Sequence, residues 1–222
     1  MAEESVSGQS SWSVREPQAF AQACEELLAE FPTLHLEPVL GGEELRGSFV
    51  VRDEGGALDT FKIRARLPAA FPEALPTIWE TGQRLPHRPE RHVNPDGSLC
   101  IMLPDEYWAE HEQCGLLAYL RGPVHDYFLG QLGYEQSGVW PGAEMAHGSP
   151  GRVQYYQRLL GTNAPDALRR LCDDLTADRL ERQGLCPCGS KRKRRRCHGQ
   201  QIARLRGKVS REDIDLVRQK LG

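Results

Sequence analysis

The chain has 222 residues, 39% hydrophobic and 27% charged, with a net charge of −3 and seven cysteines. This balance excludes wholesale disorder, and no apolar run reaches the ~18–20 residues that cross a bilayer, so no membrane partner is expected. Charge is unevenly spread: residues 165–222 hold 16 Lys/Arg against 8 Asp/Glu, whereas residues 1–164 hold 12 against 23. Such asymmetry predicts parts with different jobs, the basic one facing an anionic partner or simply presenting a solvated face.

The start, Met-Ala-Glu-Glu-Ser, is acidic and lacks the basic and apolar regions of a signal peptide. Together with an odd number of scattered cysteines, this predicts a reducing, cytoplasmic location. Residues 1–14 are expected to be flexible. From Pro17 to Glu30, a helix is predicted by the spacing of Phe20, Cys24, Leu27, Leu28 and Phe31. Three β-type runs follow, Thr33–Leu40, Leu45–Arg52 and Leu58–Leu67, punctuated by Gly41-Gly42 and Gly55-Gly56. The third alternates Phe61, Ile63, Ala65 and Leu67 with Lys62, Arg64 and Arg66, which predicts one buried and one polar face. Pro68, Pro72 and Pro76 then impose an irregular path before a short strand at Thr77–Glu80.

The polar stretch Thr81–Leu99 ends in the turn Asn94-Pro-Asp-Gly97, and a loop of that length in a compact domain is usually functional. Leu116, Leu117, Leu120, Val124 and Phe128 mark a helical face with a kink or break expected at Gly122-Pro123. Tyr134–Gly151 reads as a Gly-rich loop, followed by helices over Val153–Leu160 and Ala164–Arg182. A terminal helix capped by Ser210 carries Ile214, Val217 and Leu221. The predicted class is α+β: a domain over residues 15–163, then a helical linker and small tail over residues 164–222.

Cys100 is the leading candidate for chemistry. It follows a tight polar turn, where a thiol is accessible, and a thiol can take an acyl group and pass it to an amine in two easier steps. The bland alternative is a buried strand cysteine. His147, in Met-Ala-His-Gly-Ser-Pro-Gly, lies in a loop able to fold back over such a thiol, and Asp105 and Trp108 are weaker pocket candidates. His87, His111 and His125 read as surface or helix-face residues, and Cys24, Cys114 and Cys172 as structural.

The order helix, meander, proline hinge, strand, long flap, cysteine, helices resembles the ubiquitin-conjugating (UBC) fold. Phe71-Pro72…Pro76-Thr-Ile-Trp79 resembles that family's Tyr-Pro…Pro-Pro-x-φ-x-Phe segment, and Asn94-Pro-Asp-Gly97-Ser-Leu-Cys100 resembles its Asn-x-x-Gly-x-Ile-Cys signature. The family's His-Pro-Asn triplet is replaced here by Glu90, Arg91 and His92. His92 therefore stands where the family's asparagine stabilises an oxyanion, as an N–H donor or as an acceptor for the incoming amine. The resemblance implies a thioester on Cys100 carrying a ubiquitin-like or otherwise C-terminally activated protein. It also implies a separate activating enzyme and a target protein. Similar bacterial proteins belong to conjugation systems, several in anti-phage defence, as in CBASS. Two alternatives remain: a cysteine hydrolase using Cys100 with His92 or His147, and a non-catalytic UBC-like binding module.

Near the end, Cys186-x-Cys188-x8-Cys197-His198 offers three thiolates and an imidazole, the donor set of a closed tetrahedral zinc site. The run from Cys186 to Gly199 resembles the SEC-C motif, the zinc module known from the tail of the SecA translocation ATPase, departing from it at Lys191 and Arg194. Lys191–Arg196 is an unbroken basic run, suited to phosphates of RNA or to an acidic protein face. Docking of a partner is the reading preferred from sequence.

Overall fold

The computed structural model describes residues 10–141 and 149–222. The elements begin with α1 (Trp12–Arg15) and α2 (Pro17–Glu30), then β1 (Leu34–Val39), β2 (Gly42–Asp53), β3 (Gly56–Pro68) and β4 (Thr77–Glu80). Next come α3 (Pro104–Glu110), α4 (Leu116–Tyr119), a π-helical turn at Leu120–Val124 that runs into α5 (His125–Ser137), and α6 (Ser149–Leu160). The chain continues with α7 (Pro165–Thr176), α8 (Gly199–Leu205) and α9 (Arg211–Lys220). The class is α+β, as the alternating patterns predict. Among the described residues no helix is long and apolar enough to cross a membrane.

Residue contacts divide the chain into two units. The first comprises residues 1–101 and 112–142, and the second residues 102–111 and 143–222. An expected boundary at 163/164 differs from this because α3 and α6 pack within the second unit; the apolar periodicity of either helix is silent about its partner.

In the first unit four strands form an antiparallel sheet in the order β1-β2-β3-β4. The alternation in β3 sorts as its pattern dictates: Phe61, Ile63, Ala65 and Leu67 are buried, each no more than 2% exposed. Register aligns Leu36, Leu45, Ala65 and Ile78 in one row across that face. On the opposite face Arg46, Arg64 and Trp79 align, with the Arg64 guanidinium 4.3 Å from the Trp79 ring centre. Phe128 of α5 covers the sheet, its ring centre 4.5 Å from Phe61 and 5.5 Å from Phe49. The kink expected at Gly122-Pro123 is a π-helical turn: Pro123 lacks an N–H, and the widened turn absorbs it without ending the helix.

Two expectations are revised here. Trp12–Arg15 is helical rather than part of a loose terminus, because Trp12 is buried against Phe20 and Phe71 and the Ser13 N–H donates to the buried Glu43 carboxylate at 2.7 Å. The segment read as loop from Tyr134 is helical through Ser137, ending at Gly138 in the left-handed region.

The second unit has its own core: Tyr156, Leu160, Leu168, Leu171, Ile202, Leu205, Ile214 and Val217 are fully buried together. Cys172 belongs to this core, where burial pushes its thiol up to about 12, consistent with a structural role. The Ser210 side chain accepts the Asp213 N–H and caps α9, as the sequence predicts.

Candidate active cysteine and metal centre

The flap that leads to Cys100 is built from short-range bonds. Glu80, the last residue of β4, accepts the Gly82 N–H at 2.6 Å and the Arg84 N–H at 2.9 Å, turning the chain away from the sheet. One 3-10 turn at Pro89–Arg91 ends with His92 in the left-handed region (φ 48°). A hairpin follows: Val93 bridges Leu99, Ser98 bridges Trp79, and the Leu99 N–H donates to the Ile78 carbonyl at 2.7 Å. At its tip the Asp96 carboxylate accepts the Ser98 hydroxyl (2.6 Å) and N–H (3.0 Å), bonds that hold its carboxyl below the usual aspartate range. Gly97 is required by its backbone, whose φ of +81° L side chains rarely adopt.

The hairpin delivers Cys100 half-buried, with its N–H donating to the His92 carbonyl at 2.8 Å. Cys100 and His92, two of the three catalytic candidates, are thus neighbours through the backbone. The His92 ring packs on Trp140, centroids 4.2 Å apart, and Trp140 in turn lies 5.9 Å from Tyr127. His147, the third candidate, lies outside the described residues.

Helix α5 clamps this flap. The Tyr127 hydroxyl donates to the carbonyls of Arg91 (3.1 Å) and His92 (3.2 Å). Burial, with the nearby Cys100 adding to it, pushes the Tyr127 phenol well up, so the hydroxyl remains a neutral donor. Arg91 is 9% exposed; its Nε donates to Gln131 Oε1 at 2.7 Å and its Nη2 to Glu135 Oε1 at 3.1 Å, over the Tyr134 ring. Gln131 returns a bond from Nε2 to the Arg91 carbonyl at 2.6 Å. Glu135 is shared with Arg84, which also holds Asp59 at 2.7 Å. These bonds to Arg84 and Arg91 keep the Glu135 carboxyl below the usual range.

Sequence reading missed Arg91, Tyr127, Gln131 and Trp140. Tyr127, Gln131, Tyr134 and Glu135 form a polar stripe at helical spacing, the one available signal. Trp140 follows the end of α5 and carried none. Asp105 and Trp108, proposed as pocket residues, are buried members of the second unit. His125 Nε2 lies 2.7 Å from the Arg52 carbonyl, and His111 stacks on Tyr107, so both have structural partners.

In the second unit Cys186, Cys188, Cys197 and His198 place their ligand atoms within 4.8 Å of one another. Cys186 Sγ lies 3.2 Å from His198 Nδ1, Cys188 Sγ 3.5 Å from Cys197 Sγ, and Cys197 Sγ 3.3 Å from His198 Nδ1. Tetrahedral bonds of ~2.3 Å to sulfur and ~2.0–2.1 Å to nitrogen span edges of about 3.8 and 3.5 Å, so small adjustments of these side chains admit a metal ion. Burial raises the Cys188 thiol, but Ser190 and the other two thiols outweigh it, bringing it down to about 6. Arg194 staples this loop down: its Nε donates to Asp174 at 2.7 Å and its Nη1 to Glu181 at 3.1 Å. Gly199 is needed beside it, since a Cβ there would lie 2.7 Å from the Arg194 carbonyl oxygen.

The same unit buries an acid. Asp105 on α3 is 4% exposed and accepts the Tyr156 hydroxyl. Burial pushes its carboxyl up to about 6, against the Tyr156 bond, with Asp213 adding to the rise and Arg152 opposing it.

Comparison of the chain with protein-family models, with curated protein sequences and with solved structures returns no match.

Proposed function

We propose that the chain is a conjugating enzyme of the UBC type, carrying a ubiquitin-like or C-terminally activated protein on Cys100. The Cys100 thiolate attacks the thioester carbonyl of the modifier on a separate activating enzyme. A new C–S bond forms, the old one breaks, and the activating enzyme's thiolate leaves. A target amine then attacks the Cys100 thioester, forms the amide, gives up its proton, and returns the thiolate. A thioester is already activated, so the enzyme's task is positioning and oxyanion stabilisation, for which His92 is the candidate donor.

The observation that carries this reading is the bond from the Cys100 N–H to the His92 carbonyl, within a flap clamped by Tyr127 and Arg91. That arrangement holds a half-buried thiol and a flap histidine together, which supports acyl carriage on Cys100. In the second unit, the Cys186, Cys188, Cys197 and His198 set fits zinc, which would close the loop as a structural ion.

The test compares wild type with Cys100→Ser, each incubated with an activating enzyme, ATP and a candidate modifier. A thiol-labile adduct on wild type that becomes thiol-stable on the serine variant is expected. Absence of any adduct, with Cys100-dependent cleavage of a fluorogenic peptide, would establish the hydrolase instead.

A further inference from the structure

Within the six basic residues Lys191–Arg196 the fold makes a division that the sequence does not show. Arg194 is turned inward and spent on Asp174 and Glu181, leaving its side chain 18% exposed. Lys191, Arg192, Lys193, Arg195 and Arg196 are all exposed, and among the described residues none forms an ion pair with a carboxylate. These five line a concavity of about 610 Å³ to which no other described residue contributes.

The loop is held on both flanks. The Cys186 N–H donates to the Arg192 carbonyl at 2.7 Å, Leu185 bridges Lys193, and the Arg195 N–H donates to the Arg182 carbonyl at 3.1 Å. Five like charges borne on one pinned loop repel each other, and a polyanion in that hollow relieves the repulsion. The lining also selects among polyanions. Protein interfaces centre on packed aromatic residues and arginine with lysine depleted, whereas this wall pairs its arginines with two lysines and no aromatic ring. Arginine forks match phosphate oxygens bidentately, and a chain of phosphodiesters supplies them at regular spacing. Without an aromatic ring, bases are not stacked and sequence is not read.

We infer that the Lys191–Arg196 loop is a docking surface for the phosphate backbone of a nucleic acid, bound without base specificity. This names the partner class for the tail and is independent of the chemistry at Cys100, which its own assay scores separately.

Fluorescence anisotropy of the full-length protein tests it, with labelled oligouridylate RNA, labelled oligothymidylate DNA and labelled polyglutamate as probes. Both nucleic acids are expected to bind, with log K falling against log salt at a slope of about −2 to −3.5, set by three to five contacts at ~0.7 each. The triple variant Arg192→Gln/Arg195→Gln/Arg196→Gln should weaken binding at least about tenfold and shrink the slope by about 2. The pair Lys191→Gln/Lys193→Gln, which leaves the arginines in place, should shrink it by about 1.4. Neutralising Arg170, Arg179 and Lys220, exposed elsewhere on the same unit, should leave the slope unchanged. Three results overturn the inference: equal loss with that control, wild-type binding by the triple variant, or polyglutamate binding as tightly as nucleic acid. The last would assign the loop to an acidic protein.

Discussion

A buried guanidinium is costly unless its donors find acceptors, and Arg91 sets Nε and Nη2 on acceptors along one stripe of α5. Its backbone carbonyl is held by the same stripe, so one residue ties the flap to the helix by side chain and main chain together. Arg91→Ala should lower stability by about 2–4 kcal/mol, read as a shift of the urea midpoint, because Gln131 and part of Glu135 lose their partner. Arg91→Lys should recover less than half of that, since one ammonium cannot serve Gln131 and Glu135 as a fork does. A full rescue by lysine would show that charge alone matters there. At this scale the sequence revealed residues with a chain-local signature. Cys100 stood out as a candidate from its turn, and His92 from the resemblance of Glu90-Arg91-His92 to a family triplet. Arg91 and Trp140 were not, because their partners lie some forty residues along the chain and no local period encodes such a pairing.

Among the elements, β3 was the most legible, since strict alternation leaves one register in which four apolar side chains are buried. Helices α3 and α8 were missed: each has seven residues, too few for an apolar stripe to declare itself. Yet α3 holds the group with the clearest pH signature. The folded state binds the Asp105 proton more tightly than the unfolded chain, so this group's contribution to stability is highest below about pH 4. It falls as pH rises towards about 6, then levels off. Glu106, raised mainly by burial, adds in the same direction. Asp105→Asn cannot titrate, so its stability relative to wild type should improve by up to about 3 kcal/mol between pH 4 and pH 7.5. Chemical denaturation at the two pH values measures this, and parallel behaviour of the two proteins would sink the assignment.

At the scale of the whole molecule, the two units have separate cores, so unfolding should not be two-state. Calorimetry should resolve two transitions. A zinc chelator should lower only that of the second unit, by at least about 10 °C, because Cys186 is part of its core and Cys188 and Cys197 pack against it. A thermogram indifferent to chelator would remove the metal from the account. Charge asymmetry made two parts legible in the sequence, but not the interleaving of the chain, in which residues 102–111 leave the first unit and Glu112 returns to it. That interleaving sets a timetable. During synthesis the chain passes Cys100 and then α3, whose companions Tyr156 and α8 are still unmade. Roughly a hundred further residues must be added before α8 exists, about 5–20 s of translation. Until then, the segment beginning two residues after the thiol has nowhere to pack. The cysteine is made well before its downstream flank can be settled.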